Sequence, residues 1–216
     1  MTPASSPQLL LGSDLDRRSR KKLRTRDALA DAAIQLFTDV GFEETTVEAI
    51  ADVVDVSRRT FHRYFPCKED VLFADAPDRL ELFRAALQRR ARSEPVLTSV
   101  RAALAELAAA LSARPEVELK RFRLIESAPS LRAYHLRYQD ELAAAVTEFA
   151  AERAEAGTDP AWPALLGACT LAVVTAMRRR WMAAAEGDTG QTLAQAFDHG
   201  FDVLIRLSQP TTSVAP

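Results

Sequence analysis

TTVEAIADVVDVSRRTFHRYF, residues 45–65, decides the fold. Thr45 and Glu48 have the spacing of a capping box, which predicts a short helix over about 46–53. Ile50, Val53 and Val54 form its apolar side. Asp55-Val56 reads as a tight turn. Ser57 is a good N-cap and opens a further short helix over about 58–64, followed by Phe65-Pro66. On that last helix Phe61 and Phe65 can turn inward, while Arg58, Arg59, Thr60, His62 and Arg63 stay outside.

Working outward, a longer helix precedes this pair, over about 19–40. Leu29, Ala33, Leu36, Phe37 and Val40 share one face, and Gly41 supplies a C-terminal cap. Three helices, the last two joined by a tight turn, make a helix-turn-helix. Its final helix presents arginine, which can bond guanine O6 and N7 together, and threonine, which can touch polar edges or the thymine methyl.

Composition agrees with an all-α chain. Of 216 residues only seven are glycine, about 3% against a usual share of roughly 7%. Ala (39) and Leu (26) far outnumber Val (14) and Ile (4), and the first pair favour helices where the second favour strands. Glycine-rich nucleotide-binding folds and β-sandwiches are therefore disfavoured. Cys67 and Cys169 lie far apart and imply no disulfide framework, which suits a reducing cytoplasm. No metal, phosphate-loop or nucleophile string occurs, so neither an enzyme nor a cofactor is expected. His135 and His199 read as structural residues.

The net charge of −2 argues against nucleic acid until the charges are placed along the chain. Residues 17–26 hold seven cations (Arg17, Arg18, Arg20, Lys21, Lys22, Arg24 and Arg26) and no acid. Residues 27–70 hold four bases and ten acids, a balance of −6. A basic run thus leads into the helix-turn-helix, as arms that touch DNA backbone or minor groove do.

Beyond Lys68 the apolar spacing predicts longer helices. A stripe of Leu72, Ala76, Leu80, Phe83 and Leu87 is interrupted by Pro77, where a kink or fresh start is expected. Further helices are expected over about 95–113, 115–127, 129–156 (closed by Gly157), 161–186 and 189–208, giving about nine in all. Residues 1–16 and 211–216 read as disordered tails, 17–70 as the helix-turn-helix domain and 71–210 as a second helical domain. Pro160–Met177 is uncharged but Ala-rich, and reads as a buried helix rather than a membrane span.

The residues Arg26…Ala32-Ala33-Ile34-Gln35-Leu36-Phe37-x-x-x-Gly41-Phe42-x-x-Thr45-Thr46-Val47-x-x-Ile50-Ala51 resemble the tetracycline-repressor (TetR) family of bacterial regulators. The resemblance continues as Val56-Ser57-x-x-Thr60-Phe61-x-x-Tyr64-Phe65-x-x-Lys68-Glu69-Asp70 and covers about 24–72. It implies a ligand-responsive repressor that binds a palindromic operator as a homodimer, with a C-terminal helical effector-binding and dimerisation domain. By position it assigns phosphate contacts to Thr46, Tyr64 and Lys68, and base or backbone reading to Arg58, Arg59, Thr60 and Arg63. Arg24, Ser57 and His62 complete the expected DNA-binding set. His62 stands where the family usually has Tyr, and Asp55 where it usually has Gly; Asp tolerates the left-handed conformation at small cost.

The same resemblance implies an effector pocket among the later helices, with Phe122, Tyr134, Tyr138, Phe149, Cys169, Met177 and Trp181 as lining residues. Arginines near the ends of these helices (Arg121, Arg123, Arg132, Arg137, Arg178 to Arg180) would suit an amphiphilic anion such as an acyl-CoA. In family terms the last two helices pair across the dimer, and Gly167, Ala168, Leu193, Phe197, Gly200, Phe201 and Leu204 are the expected interface. The competing reading is a helical interaction module that has lost DNA binding, supported by the −6 balance over 27–70.

Overall fold

A computed structural model describes residues 17–185 and 191–208. Within them the chain forms ten α-helices and no strand. They are α1 (Arg17–Asp39), α2 (Val47–Val53), α3 (Arg58–Tyr64), α4 (Lys68–Leu72) and α5 (Ala76–Gln88). Then follow α6 (Val96–Leu111), α7 (Pro115–Ser127), α8 (Pro129–Ala151), α9 (Trp162–Ala185) and α10 (Leu193–Ser208). The two expected tails lie outside the described residues.

The tenth helix comes from Pro77. The stripe through Leu72 and Leu87 is two helices rather than one kinked helix, because Phe73 ends α4 and α5 starts afresh at Ala76. Pro77 is the second residue of α5, where its missing N–H costs no intrahelical bond. Gly41 adopts φ +104° just past α1, as a C-terminal cap requires. Gly157 has φ +89° but sits in the loop six residues beyond the end of α8, so it shapes that loop rather than closing the helix. Val40 falls past the end of α1 and Val53 on the outer side of α2; both are more than half exposed, not on the core faces their spacing suggested.

The chain divides into two compact units. One gathers the sequence up to Asp78 together with Ala113–Tyr138. Its core is built from Leu29, Ala33 and Phe37 of α1, Ile50 of α2, Phe61 of α3 and Leu72 of α4, with Ile125 of α7 and Leu131 of α8. So α7 and the first turns of α8, expected in the second domain, pack with the helix-turn-helix. Polar contacts fix them there. Arg114 pairs with Asp31 of α1 at 3.0 Å, and Lys120 donates to Gln35 at 3.2 Å. Arg121 is buried and meets Glu118 at 2.8 Å and Asp75 at 3.1 Å. Burial works against its charge, but the two carboxylates outweigh it and hold the guanidinium ionised.

The start of α8 is tied to α4 in the same unit. The Tyr134 hydroxyl donates to Asp70, whose other oxygen accepts from the Cys67 thiol at 3.2 Å. Phe73 stacks on Tyr134 and Tyr138 with ring centres 5.5 and 5.1 Å away. Burial, then the bond to Asp70, pushes the Tyr134 phenol up; burial pushes the Cys67 thiol up, so both remain proton donors.

The second unit comprises Arg79–Ser112 and the chain from Gln139 onward. Here α10 packs on α9 and α6. Leu193, Phe197 and Phe201 of α10 are buried, each at most 4% exposed, and Arg101 of α6 pairs with Asp198 and, at 2.9 Å, Asp202. A side chain on Gly200 would run into Val173 and Met177 of α9. One on Gly167 would run into the Thr147 hydroxyl and the Ala143 carbonyl oxygen of α8, the latter at 2.6 Å. These five residues therefore build the protomer's own core, which corrects their expected place in a dimer interface. Leu204 is half-buried. Ala168 is exposed, on a face of α9 shared with Ala164, Leu165 and Ala172. Among the described residues no single helix is long and apolar enough to cross a membrane.

Because Gly167 sits against backbone that cannot yield, Gly167→Ala should lower the unfolding free energy by about 1–3 kcal/mol in urea titration. A substitution confined to a dimer surface would instead change the concentration dependence of unfolding.

Candidate nucleic-acid interface

The interface is built around α3, a helix of seven residues. Isolated helices of this length are not stable in water, so the surroundings must hold it. At its start Ser57 Oγ accepts from the Thr60 N–H at 3.1 Å and shares a further bond of 3.0 Å with the Thr60 hydroxyl. At its middle Phe61 is fully buried and lies 5.5 Å from the Phe65 ring. With those two rings inside, Arg58, Arg59, His62 and Arg63 are exposed and Thr60 is half-buried. Arg59, Thr60, His62 and Arg63 line an open hollow of about 320 Å³. The structure thus brings together Arg59, Thr60 and Arg63, three of the residues expected to read bases or backbone, with His62 of the expected DNA-binding set beside them.

Arg58 is placed differently. It pairs with Glu48 of α2 at 2.9 Å, both side chains being more than half exposed. Such a pair adds little stability but sets where the guanidinium rests before any nucleic acid arrives. Tyr64, at the end of α3, lies beneath the Arg63 guanidinium at 5.2 Å.

The turn before α3 depends on Asp55. The Val56 N–H reaches back to Ala51 O at 3.0 Å and the Asp55 N–H to Asp52 O at 3.1 Å. This pair of bonds ends α2 as a Schellman motif, whose C′ residue must be left-handed. Asp55 is that residue, with φ +55°, the sole non-glycine of positive φ among the described residues. The expectation that Asp takes the place of Gly in an intact turn is met.

The entry to α2 differs by one residue from the expected capping box. Thr46, not Thr45, is the N-cap, and its Oγ1 accepts from the Ala49 N–H at 3.1 Å. That use leaves its hydroxyl proton available to a phosphate. Thr45 is buried and donates to Gly41 O at 2.7 Å, bracing the loop.

Lys68 was expected at a phosphate, and the structure gives it internal work. Its Nζ donates to the carbonyls of Phe42 at 2.6 Å, Thr45 at 3.0 Å and Glu43 at 3.3 Å. It also stands 4.3 Å from the Phe42 ring centre. An ammonium has three protons, and all three are spent on the α1–α2 loop. Sequence reasoning missed this role because the free carbonyls lie more than twenty positions upstream and carry no side-chain signal.

The expected effector-lining residues do not share one unit. Phe122, Tyr134 and Tyr138 belong with α4 and the helix-turn-helix, while Phe149, Cys169, Met177 and Trp181 belong to the second unit. Trp181 is nearly buried and donates to Gln191 O at 3.0 Å. Met177 faces Gly200, and Phe149 packs under Arg153 at 3.7 Å. Arg121, expected near an anionic ligand, is taken up by Glu118 and Asp75. Among the described residues no cluster of His, Cys, Asp or Glu could hold a metal.

Lys68→Met should lower the unfolding free energy by about 1–3 kcal/mol without any nucleic acid present, because charged hydrogen bonds to buried carbonyls are lost. A purely phosphate-binding lysine would leave that quantity unchanged. Asp55→Gly should leave the stability unchanged or raise it by up to about 1 kcal/mol, since glycine adopts the left-handed region freely.

Comparison with known proteins agrees with this geometry. Residues 29–74 match the family of bacterial regulatory proteins, tetR family, and residues 94–204 match the MftR C-terminal domain. The chain is 34% identical over 194 residues to the HTH-type transcriptional regulator TcmR of Streptomyces glaucescens, covering 87% of this chain and 85% of that one. It is 26% identical over 185 residues to a putative mycofactocin biosynthesis transcriptional regulator, MftR, of Mycobacterium tuberculosis, covering 86% and 91%. Its fold resembles that of Thermus thermophilus FadR, a repressor solved with lauroyl-CoA, with a TM-score of 0.58 at 23% identity over 88% of this chain and 98% of that one. The chain belongs to the tetR family and is a transcriptional regulator with a helix-turn-helix DNA-binding domain.

Proposed function

We propose that this regulator is a repressor that reads a palindromic operator as a homodimer and is released by a small amphiphilic effector. The observation that carries the reading is the outer face of α3. Arg59, Thr60, His62 and Arg63 lie together and open to solvent around one hollow, on a helix whose opposite side is locked by Phe61. Bidentate guanine recognition needs an arginine held this way. Arg58 reads beside them once Glu48 releases it, and Thr46, Tyr64 and Ser57 supply hydroxyls for phosphates.

A two-fold partner is supported by the outer face of α9. Ala164, Leu165, Ala168 and Ala172 are exposed there, and their small side chains let a second helix approach closely. Two recognition helices must then lie about 34 Å apart to enter successive major grooves. An effector acts by favouring a state with a different spacing. Acyl-CoA is the class to test first, because the FadR of similar fold binds lauroyl-CoA. The effector acts on the second domain and not on α3, and the protein carries out no catalysis and works in the cytoplasm.

Fluorescence anisotropy with duplex DNA from the region upstream of the chain's own gene tests the reading. Arg59→Ala should narrow the gap between specific and unrelated DNA by about 1–3 kcal/mol, and lauroyl-CoA should release the bound duplex. Equal affinity for both duplexes in the unmodified protein would refute operator reading. Continued binding across a series of acyl-CoAs would refute that effector class alone.

A further inference from the structure

One carboxylate stands at the reading face itself. α3 has three exposed arginines and no acid of its own. Among the described residues no carboxylate meets Arg59 or Arg63, whereas Arg58 Nη1 lies 2.9 Å from Glu48 Oε1. Glu48 comes from the first turn of α2, two residues past the Thr46 cap. An acid there suits the helix dipole, and that alone accounts for its presence in α2. It does not account for its reach across to the first residue of the recognition helix.

The contact fixes where the Glu48 carboxylate lies. It shares one spot with the Arg58 guanidinium, so a duplex that reaches Arg58 also meets Glu48. An exposed ion pair holds its arginine by about fivefold at most, while a bidentate guanine contact is worth about five- to a hundredfold, so the exchange favours guanine. The carboxylate is then left without its partner among phosphates, and only a donor on a base edge relieves it. In the major groove the base donors are cytosine N4 and adenine N6. Adenine carries its N7 acceptor beside that amino group, which repels a carboxylate; cytosine shows the amino group alone. Each base pair has its amino group on one strand only, so such a contact also reads orientation.

We propose that Glu48 is a specificity-determining residue of the interface, accepting from cytosine N4 at a base pair next to the guanine that Arg58 reads. This role deepens the operator reading proposed above and rests on it for Arg58. It acts by rejection as much as by attraction. Where the facing base edge offers only acceptors, Glu48 meets lone pairs and phosphates with its arginine gone, and binding weakens. Arg58 alone would gain from any nearby phosphate. Together the two side chains gain fully only where guanine and cytosine lie side by side in the required orientation.

Selection of duplexes from a randomised pool by the full chain, followed by sequencing, tests this without knowledge of the operator. The unmodified chain should enrich a guanine and, next to it, a C·G pair in one orientation. Glu48→Ala should lose the second preference and keep the first, and Arg58→Ala should lose the guanine. A second measurement uses the anisotropy of one unrelated duplex. Arg58→Ala leaves Glu48 facing phosphates alone and should weaken binding several-fold; adding Glu48→Ala should recover most of that loss. The same motif from the unmodified chain and from Glu48→Ala would overturn the role of Glu48 and leave the operator reading standing. So would a Glu48-dependent preference for an A·T pair, or a double variant that binds no better than Arg58→Ala. No enriched motif from the unmodified chain would overturn both.

Discussion

A seven-residue recognition helix cannot hold its own shape, and much of the first unit is arranged around that constraint. Its start is fixed by Ser57, its turn of entry by Asp55 and its rotation by Phe61. Since Phe61 is fully buried, the side chains on either side of it have no choice but to face outward. The exposed arginines are thus a consequence of where one ring goes. The neighbouring loop is held in turn by Lys68, whose three protons close it from Phe42 to Thr45.

The same unit reaches further along the chain than the helix-turn-helix itself. α7 and the beginning of α8 join it through Arg114 with Asp31, Arg121 with Asp75, and Tyr134 with Asp70. The Arg121 group is buried, so removing both carboxylates would leave an uncompensated charge. Of the two tyrosines expected as effector contacts, Tyr134 bonds Asp70 of α4 and Tyr138 stacks on Phe73, just past that helix. The second unit uses close approach instead: Gly167 against α8 and Gly200 against α9 let helices meet at distances no side chain would permit.

Much of this was legible in the sequence where the signal is local. Helix positions, the left-handed residue at Asp55, the Ser57 cap and the inward turn of Phe61 follow from residue types within a few positions of one another. The break at Pro77 was legible, though whether it kinked one helix or separated two depended on Phe73 ending α4. The capping residue of α2 was misplaced by one, because Thr45 and Thr46 are chemically alike and only the backbone decides which hydroxyl faces the helix end. Gly167, Phe197 and Phe201 have the look of interface residues, since small and aromatic side chains serve an inner and an outer helix contact equally well.

The sequence by itself determined an all-helical chain, a helix-turn-helix with its reading face, a basic entrance and the family to which they belong. Each is written in periodicity, caps and charge order, which act over one or two turns. Only the tertiary structure decided that Lys68 serves a loop, that Arg58 rests on Glu48, that α7 packs with the N-terminal helices, and that most of the small-residue face of α10 is inside. Those outcomes depend on which surfaces meet across tens of residues, and a carbonyl or a helix face announces nothing of its partner in the chain order.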